Sequence, residues 1–465
     1  MAEVPRRTLH RGAKLAGLPL GAAGRTVLGW GRKLAGADAE LIAEQFSARS
    51  AEQVFAVLGD LKGGAMKFGQ AMSIYEAAIP ERFAEPYREA LTRLQASAPP
   101  IPAKQVYRVL DGQLGLRWRQ RFAEFDDEPV AAASIGQVHR AVWHDGRVVA
   151  VKVQYPGADT ALLSDLRQLS RFSRLIDPLF PGLAVRPMLD ELRARMTEEL
   201  DYRHEADNQR AFAAAFTGDP EFLVPAVVAS APKVLITEWV TGRPLAKLIG
   251  GGDQDARNEA ARLLFEFCAA SMSRTGLVHA DPHPGNYQLT GDGRLAVLDF
   301  GAVAPAHRSA LRYLDNIALA GLVDSALLSE LPAEPRSVVL AEVAETLREI
   351  GFSPSRTEVQ PEDVLARFGP LTEPLMVPRF RFSRGWLQSA TPRMPGLARG
   401  EDVLGGATLG LPAEHVLMLR TLVGLAAVAC QLEAEVALRD IVTRWYPGFA
   451  EPTIPPRLAG ALGLD

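Results

Sequence analysis

The chain has 465 residues, of which 48% are hydrophobic and 23% charged, and its formal net charge is −4. This composition is typical of a globular protein that buries a large core, and the net charge gives no indication of a nucleic-acid partner. The two cysteines, Cys268 and Cys430, lie in apolar helical patterns, which argues against a disulfide framework and fits a reducing compartment.

Residues 1–33 concentrate positive charge, in a pattern that fits either a solvated helix face or contact with anionic lipid. Against one acid, Glu3, they hold Arg6, Arg7, Arg11, Lys14, Arg25, Arg32 and Lys33. No continuous apolar segment precedes a cleavage site, and the run Leu422–Cys430 is too short to span a bilayer. The sequence therefore predicts a cytoplasmic protein without a membrane span, and peripheral association with the inner membrane is a hypothesis.

The N-terminal part is predicted to be helical, and it contains the unusual segment Leu61–Ser73, LKGGAMKFGQAMS. Its three glycines cost roughly 2–3 kcal/mol of helix propensity relative to alanine, which is tolerated where a backbone or ligand comes close. On a helix, Lys67 and Gln70 share one face and can point at one target. The alternative is a solvated lysine on a tightly packed helix.

From Phe122 the periodicity changes to that of strands. Phe122–Phe125 predicts a strand, and Ala141–Val153 predicts a hairpin. The run Val-Ala-Val-Lys ends on Lys152, as does the protein-kinase strand whose lysine holds the α- and β-phosphates. The preceding turn is therefore predicted to be the phosphate loop, and it contains Ala131, Ala132, Ala133 and Ser134 where a kinase has glycines.

Alanine in a phosphate loop has physical consequences. Its Cβ disfavours the left-handed conformations through which glycine lets backbone N–H groups approach phosphates. We therefore expect a stiffer loop with altered nucleotide preference or geometry. The alternative is that the alanines are small packing residues.

Residues 156–212 are predicted to be mostly helical, and they supply a candidate partner for Lys152. A kinase needs a glutamate on a helix to pair with the strand lysine, and Glu205 is the candidate. Asp201 lies four positions earlier, on the same helix face. Glu199 lies about 200° from Asp201 around a regular helix, so the two can bind one cation only if the helix starts or bends there.

Two short apolar runs, Phe222–Val228 and Val234–Val240, follow. The second ends Ile-Thr-Glu-Trp-Val and resembles a kinase hinge, so Glu238 and Val240 are candidate adenine contacts. Residues 241–244 predict a turn at which the lobes divide. Ala256–Arg274 predicts an amphipathic helix that leads to the segment richest in chemical motifs.

That segment, residues 278–301, reads VHADPHPGNYQLTGDGRLAVLDFG. Asp281 and Asn286 share one loop, and Asp299 follows a predicted hairpin, in the order and spacing of a protein-kinase catalytic site. Magnesium bound to a nucleoside triphosphate needs hard oxygen ligands, which Asn286 and Asp299 can supply. Asp281 then supplies the carboxylate near the transferring phosphoryl group.

The same region has two further features. His279 and His283 are spaced as a metal-binding pair on a helix, but Pro282 between them argues against a regular helix. From Ala304 onward the chain is predicted to be helical with Pro and Gly breaks, which leaves little room for a phosphorylatable activation loop.

Four motifs together resemble the UbiB (AarF) atypical kinase-like family, which is associated with coenzyme Q biosynthesis. They are Lys67-Phe-Gly-Gln70, Ala131–Val138, Glu199-Leu-Asp-Tyr202 with Glu205, and His279–Asn286 with Asp299. The resemblance implies that Lys152 pairs with Glu205, that Asn286 and Asp299 hold Mg²⁺, and that Asp281 is the catalytic-loop acid. It also implies that Lys67 faces Glu199 and Asp201 and, with Gln70, covers the site where a protein substrate would otherwise bind.

The sequence therefore predicts an α+β, two-lobed protein-kinase-like fold with a helical N-terminal extension over residues 1–120. The N-lobe is predicted to cover 121–240 and the C-lobe 241–465. The expected activity is that of a Mg²⁺-dependent, ATP-binding ATPase, and the resemblance adds an isoprenoid lipid or quinone precursor as a partner. A small-molecule phosphotransferase and a nucleotide-binding pseudokinase scaffold are the alternatives.

Overall fold

The computed structural model describes residues 100–133, 135–158, 200–249, 251–306, 341, 373–390, 413–446 and 449. The helices are α1 (Ala103–Leu114), α2 (Tyr202–Ala215), α3 (Leu245–Ile249), α4 (Gln254–Thr275), α5 (Arg384–Ala390), α6 (Ala413–Gln431) and α7 (Leu438–Trp445). Two 3-10 turns occur at Trp118–Arg121 and Pro284–Asn286. The strands are β1 (Phe122–Phe125), β2 (Ala131–Ala133), β3 (Gly136–Trp143), β4 (Val148–Gln154), β5 (Phe222–Leu223), β6 (Val227–Ala231), β7 (Val234–Glu238), β8 (Gly242–Pro244), β9 (Leu277–His279), β10 (Tyr287–Thr290), β11 (Leu295–Val297), β12 (Val303–Pro305), β13 (Phe380–Arg381) and β14 (Glu435–Val436).

The described residues belong to two compact units. Unit 1 comprises those within 1–210 and 225–240, and unit 2 comprises those within 211–224 and 241–465. The predicted division at residues 120 and 240 stays a prediction, because residues 1–99 lie outside the described part of the chain.

Unit 1 is built on an antiparallel sheet with the strand order β1-β3-β4-β7-β6, and β2 pairs with β3. The sequence of β4, VVAVKVQ, alternates between the two faces of this sheet because successive side chains on a strand point to opposite sides. Val149, Val151 and Val153 are fully buried on one face. Lys152 is consequently directed to the other face. The predicted strand at Phe122–Phe125 and the predicted hairpin are both present.

Helix α1 covers the valine face of the sheet. Its residues Val106 and Leu110 are fully buried in one hydrophobic cluster with Trp118, Phe122 and the β4 valines. Aromatic rings close the end of this cluster, where Phe122 meets Trp143 edge to face at 5.0 Å between ring centroids. Such pairs contribute about 0.5–1.5 kcal/mol beyond the burial of their area, so this face is a rigid support for β4.

Unit 2 is organised around helix α4, which contains the predicted helix at Ala256–Arg274 and extends beyond it at both ends. Asp253 caps its N-terminus by accepting a hydrogen bond from the Ala256 N–H. Gly276 ends it in a left-handed conformation with φ of 66°, which glycine adopts without steric cost. Because α4 is buried around much of its circumference, it forms a core helix, and both cysteines are buried thiols in helices of this unit.

Small sheets of unit 2 position the segment that carries the chemical motifs. Strands β5, β11, β10 and β8 form one sheet in that order, and β9 pairs with β12 in another. The turn of the β10–β11 hairpin contains Gly293 with φ of 87°. The chain leaves β9 into residues 280–286 and leaves β11 towards Asp299, so the two motif-bearing segments follow strands of two different sheets.

Two local predictions are wrong. Residues 242–244 form β8, paired with β10, where a turn was expected, because the backbone of β10 offers them hydrogen-bond partners. Ala304 lies in β12, opposite Val278, and not in a helix. The expected helix beyond residue 306 lies outside the described residues. Within the described ranges, no helix is long and apolar enough to cross a membrane.

Candidate active site

The structure brings Lys152 and Glu205 of unit 1 together. Lys152 Nζ lies 2.8 Å from Glu205 Oε1 and 2.9 Å from Oε2. The side chains are only 18% and 7% exposed, so solvent screens the pair weakly. The Tyr202 ring lies under the ammonium group, with its centroid 5.0 Å from Nζ, and adds a cation–π contact.

Two elements fix this geometry. Lys152 extends from the centre of β4, where both neighbouring strands hold the backbone in register. Glu205 lies in the first turn of α2, and the next residue, Ala206, is fully buried in a cluster with Ile135, Tyr202 and Leu235. A cluster of apolar side chains therefore anchors the helix at the level of the ion pair.

The alanine-rich segment adopts a different conformation from that of a flexible glycine loop. Ala131, Ala132 and Ala133 form β2 and pair with β3, and Ala131 and Ala132 are exposed. Their exposure argues against a packing role. Ser134 lies outside the described residues. The close approach in this hairpin is made by Gly136, where an added Cβ would lie 2.3 Å from the Val153 carbonyl oxygen.

Asp201 lies immediately before helix α2 and not within it. Its carboxylate accepts the backbone N–H of Arg203 at 3.0 Å and pairs with the guanidinium group of the same residue at 2.5 Å. These hydrogen bonds lower the pKa of Asp201, so the group is a carboxylate at neutral pH. Helix α2 starts directly after Asp201, which is the condition under which Asp201 and Glu199 could bind one cation. Glu199, Lys67 and Gln70 lie outside the described residues.

The predicted hinge overlaps the end of strand β7 and continues to Val240. The Glu238 N–H donates to the Ala226 carbonyl at 3.0 Å, and the Trp239 N–H donates to the Val148 carbonyl at 3.0 Å. Val240 follows at the end of the segment. These two backbone bonds fix the path of the chain there, and the assignment of Glu238 and Val240 to adenine stays a prediction.

In unit 2, the loop between β9 and β10 holds Asp281 and Asn286 close together. The Asn286 side-chain amide donates to the Asp281 carbonyl oxygen at 3.2 Å. His283 caps the 3-10 turn at Pro284–Asn286 by accepting the Gly285 N–H on Nδ1. This capping contact gives His283 a structural part in the loop, and residues 280–283 are not helical, as Pro282 predicted.

Three hydrogen bonds fix the main chain and carboxylate around Asp299, and one of them, from the neighbouring Leu298, reaches this loop. The Leu298 N–H donates to the Asn286 carbonyl oxygen at 2.9 Å. His279 Nε2 lies 2.5 Å from the Asp299 carbonyl oxygen, and Asp299 Oδ1 accepts the Gly301 N–H at 2.9 Å. The structure therefore brings Asn286 and Asp299, the two predicted Mg²⁺ ligands, to one place through the backbone.

The donor set fits magnesium. The Asn286 amide nitrogen is engaged by Asp281, so the amide oxygen is the atom of that side chain that can bind a cation. Asp299 adds a carboxylate, and Mg²⁺ in nucleotide sites takes one or two protein ligands together with phosphate oxygens and water. In the described ranges no group of three or more His, Cys, Asp or Glu residues forms a dedicated metal cage, so the nucleotide would have to complete the coordination.

Aromatic side chains pack against His279 and beside Asp299. Phe300, immediately after Asp299, is fully buried, and its ring centroid lies 5.0 Å from that of Phe212 and 5.4 Å from that of His279. The Phe267 ring of α4 also contacts the His279 ring, with 6.1 Å between the ring centroids. This packing holds the His279 ring in place.

Sequence reasoning missed two tyrosines that contact these residues. Tyr202 lies under Lys152, and Tyr287 directs its hydroxyl group to within 3.1 Å of His279 Nδ1. Tyr202 was part of a recognised motif but was assigned no role. The signal for Tyr287 was its position beside Asn286, at the start of a strand whose other residues are not aromatic.

Comparisons with known proteins bear on both units. The ABC1 atypical kinase-like domain matches residues 93–326. A probable serine/threonine-protein kinase, abkA of Dictyostelium discoideum, is 34% identical over 274 residues, which cover 55% of this chain and 47% of that protein. The mitochondrial atypical kinase COQ8B of Danio rerio is 32% identical over 301 residues, covering 64% of this chain and 47% of that protein.

A solved structure from Mycobacterium tuberculosis, described as the complex of Rv3197 with erythromycin, is 43% identical in sequence. It covers 89% of this chain and all of that chain, with a TM-score of 0.63. The chain spans about half the length of the first two curated relatives. The family match confirms the predicted α+β, protein-kinase-like fold class.

Proposed function

The chain belongs to the ABC1 atypical kinase-like family, as its resemblance to UbiB (AarF) predicted, and from that premise we propose that it is a Mg²⁺-dependent, ATP-binding ATPase. The observation that carries this proposal is the Lys152–Glu205 ion pair, which joins residues 53 positions apart. In kinases a lysine held by a helix glutamate binds the nucleotide phosphates and must be in place for activity.

Each residue has a distinct part in this proposal. Lys152 binds phosphate oxygens, and Glu205 orients its ammonium group. Asn286 and Asp299 hold the magnesium ion, which neutralises charge on the phosphates when it is bound. Asp281 orients the attacking water or acceptor hydroxyl. Ala131 to Ser134 cover the phosphates, and Glu238 and Val240 contact adenine.

The sequence after Asp299 contains no Ala-Pro-Glu element, and this supports ATP hydrolysis over protein phosphorylation in trans, because protein kinases carry the activation-loop phosphosite between Asp-Phe-Gly and Ala-Pro-Glu. The proposed position of Lys67 and Gln70 over the site, with Lys67 facing Glu199 and Asp201, would likewise exclude a protein substrate.

The pathway is a second part of the proposal. Relatives are named COQ8B in Danio rerio and coq-8 in Caenorhabditis elegans, which supports a part for this chain in ubiquinone or isoprenoid-lipid metabolism. A quinone precursor or another isoprenoid lipid is then the partner, at an anionic membrane surface. Deleting the gene and measuring cellular quinones by mass spectrometry tests this, with restoration by the wild-type chain but not by Asp299→Asn as the expected result.

The first experiment is phosphate release from Mg-ATP by the purified chain without an added acceptor. We expect release by the wild type and a loss of about 100-fold or more in Asp299→Asn, because even indirect partners of a metal ligand typically contribute 10–100-fold. Asp292→Asn is the matched control, since this exposed carboxylate lies in the turn of the β10–β11 hairpin that precedes Asp299 and pairs with Arg294.

The other outcomes separate the alternatives. ATP binding without phosphate release in any variant would favour the pseudokinase scaffold. Release that appears only with an added hydroxyl-bearing small molecule would favour a phosphotransferase.

A further inference from the structure

Gln154 is the last residue of strand β4 and lies two positions after Lys152. Because side chains alternate along a strand, both residues point to the same face of the sheet. The Gln154 side chain is fully buried, and its Nε2 donates to the Leu200 carbonyl oxygen at 3.1 Å. Leu200 lies two positions before helix α2, so the strand that carries Lys152 also holds the chain just ahead of the helix that carries Glu205.

The first turn of α2 contacts Lys152 at two points. The Tyr202 ring lies 5.0 Å from Lys152 Nζ, and the Glu205 carboxylate lies 2.8 Å from it. Tyr202 and Glu205 are three positions apart and therefore share one face of the helix. Both contacts depend on where the beginning of α2 lies along β4.

Backbone hydrogen bonds join Gln154 and the start of α2 to the turn between β6 and β7. The Gln154 N–H donates to the Lys233 carbonyl, and the Tyr202 N–H donates to the Pro232 carbonyl, each at 3.0 Å. The apolar cluster around Tyr202 also holds the helix on the sheet, but burial of apolar surface is non-directional. Hydrogen bonds depend on direction, so they determine where the first turn of the helix lies.

The Gln154 amide is not fully satisfied. Its Oε1 is buried and has no hydrogen-bond partner in the part of the chain that the structure describes. A buried polar atom without a partner costs about as much stability as one hydrogen bond contributes. Methionine has a similar length and would leave no such oxygen. Stability alone therefore does not account for a glutamine at this position.

We propose that Gln154 is a positioning residue, whose hydrogen bond to the Leu200 carbonyl fixes the first turn of α2 so that Glu205 orients Lys152. This inference rests on the proposed function insofar as Lys152 binds the nucleotide phosphates. Gln154 itself contacts no nucleotide and acts through Glu205.

The direct test is ¹³C NMR of the full chain labelled at the lysine Cε atoms, with the Lys152 signal assigned by its absence in Lys152→Met. In Gln154→Met we expect the Lys152 signal to move towards its position in Glu205→Gln, because the carboxylate no longer meets the ammonium group in the same geometry. In the Glu205→Gln background, Gln154→Met should cause no further shift.

The second readout is phosphate release from Mg-ATP. In Gln154→Met we expect kcat to fall about 10–100-fold, because small displacements of a reacting geometry have effects of this size. The KM for ATP should change much less, since the proposed adenine contacts and magnesium ligands are unaltered. The urea midpoint should stay close to that of the wild type, because the lost hydrogen bond is offset by the removal of the unpaired oxygen.

Gln209→Met is the matched control. Gln209 lies in the same helix, is also fully buried, and donates from Nε2 to the Pro225 carbonyl at 2.6 Å. Its Oε1 likewise has no hydrogen-bond partner among the described residues. This variant should leave the Lys152 signal and kcat close to those of the wild type. Equal effects of Gln154→Met and Gln209→Met would assign them to general anchoring of α2 and overturn the proposal.

The remaining outcomes are also decisive. An unchanged Lys152 signal in Gln154→Met would overturn the proposal, as would an undiminished shift in the Glu205→Gln background. If the wild type releases no phosphate, the proposed ATPase function fails, but the NMR measurement still tests the part played by Gln154. If Gln154→Met does not fold, Gln154→Asn replaces it, because that amide is one methylene group shorter and should not reach the Leu200 carbonyl.

Discussion

Lys152 donates to both carboxylate oxygens of Glu205, at 2.8 and 2.9 Å, although strand β4 and helix α2 are separated by a long segment of chain. Charge, geometry and low exposure all make this pair strongly coupled. Both charged groups are partly removed from water, and their mutual attraction offsets this desolvation only while both are present. Replacing one of the two residues is therefore expected to lower the free energy of unfolding more than replacing both.

The first prediction follows from that coupling. Glu205→Gln leaves the Lys152 ammonium group partly buried without its carboxylate, and we expect it to destabilise the chain by about 3 kcal/mol. Lys152→Met in the same background should restore part of this loss. Urea denaturation of the two single variants and the double variant measures the coupling.

The control is Arg210→Met. Arg210 pairs with Asp207 three residues earlier on the same helix, but both side chains are well exposed, so the cost should be below about 1 kcal/mol. Equal costs for Glu205→Gln and Arg210→Met would contradict the special position of the Lys152 pair.

The second prediction concerns the hairpin between β2 and β3. Gly136→Ala adds a Cβ that would meet the Val153 carbonyl oxygen at 2.3 Å, and because backbone cannot yield easily we expect a loss of about 2 kcal/mol or more. Gly112→Ala, in helix α1 with open space around it, should stabilise by about 0.5–1 kcal/mol. Thermal unfolding of both variants should give shifts of opposite sign.

The third prediction is a pH dependence set by His139, which is fully buried in β3. The Gln137 amide lies 2.9 Å from His139 Nε2, and His139 Nδ1 lies 2.8 Å from the Asp126 carbonyl oxygen. Burial lowers the pKa of His139, and the hydrogen bond to the Asp126 carbonyl oxygen and the carboxylates of Asp127 and Asp126 oppose this only in part. The unfolded chain therefore takes up the proton first as the pH falls.

The sign follows from linkage. Stability from the neutral His139 is fully present above about pH 6.5 and is lost as the pH falls from there towards the lower pKa of the folded state. The urea midpoint of the wild type should thus fall between pH 7.5 and 5.5, and His139→Asn should flatten this slope. His144→Asn, which changes an exposed histidine in the same hairpin, should retain the wild-type slope. Identical slopes in all three proteins would refute the assignment.

The fourth prediction concerns the two thiols. Burial raises the pKa of Cys268 and of Cys430 to about 12, and a thiol reacts as its thiolate. At pH 8 the folded chain should therefore show no fast reaction with a disulfide reagent such as DTNB, while both thiols should react in strong denaturant. A fast reaction of either thiol in the native protein would show that its helix opens readily.

Several features of the fold and site were predictable because the signal is local. The Val-Ala-Val-Lys run predicted strand β4 and its phosphate-binding lysine, Lys152, since side chains alternate along a strand. The residues from His279 to Asn286 with Asp299 predicted a kinase-like loop from residue type and spacing alone. Glu205 was identified by the requirement for a helix-borne acid.

Other features were not predictable because their cause lies in distant residues. The alanines at 131–133 are extended because β3 lies beside them, and Ala304 is in a strand because β9 offers a partner. Neither pairing has a signature in the local sequence, where small residues are compatible with turn, helix or strand.

By itself, the sequence determined the family, the fold class and the residue types available for nucleotide chemistry, because these depend on motifs whose order and spacing survive in one dimension. Only the tertiary structure decided that Lys152 meets Glu205, that the Asp299 main chain is tied to His279, and that the Tyr287 hydroxyl reaches His279 Nδ1. Hydrogen bonds and ion pairs depend on distance and direction in space, so residues far apart in the chain acquire their partners only when the strands and helices that carry them have packed.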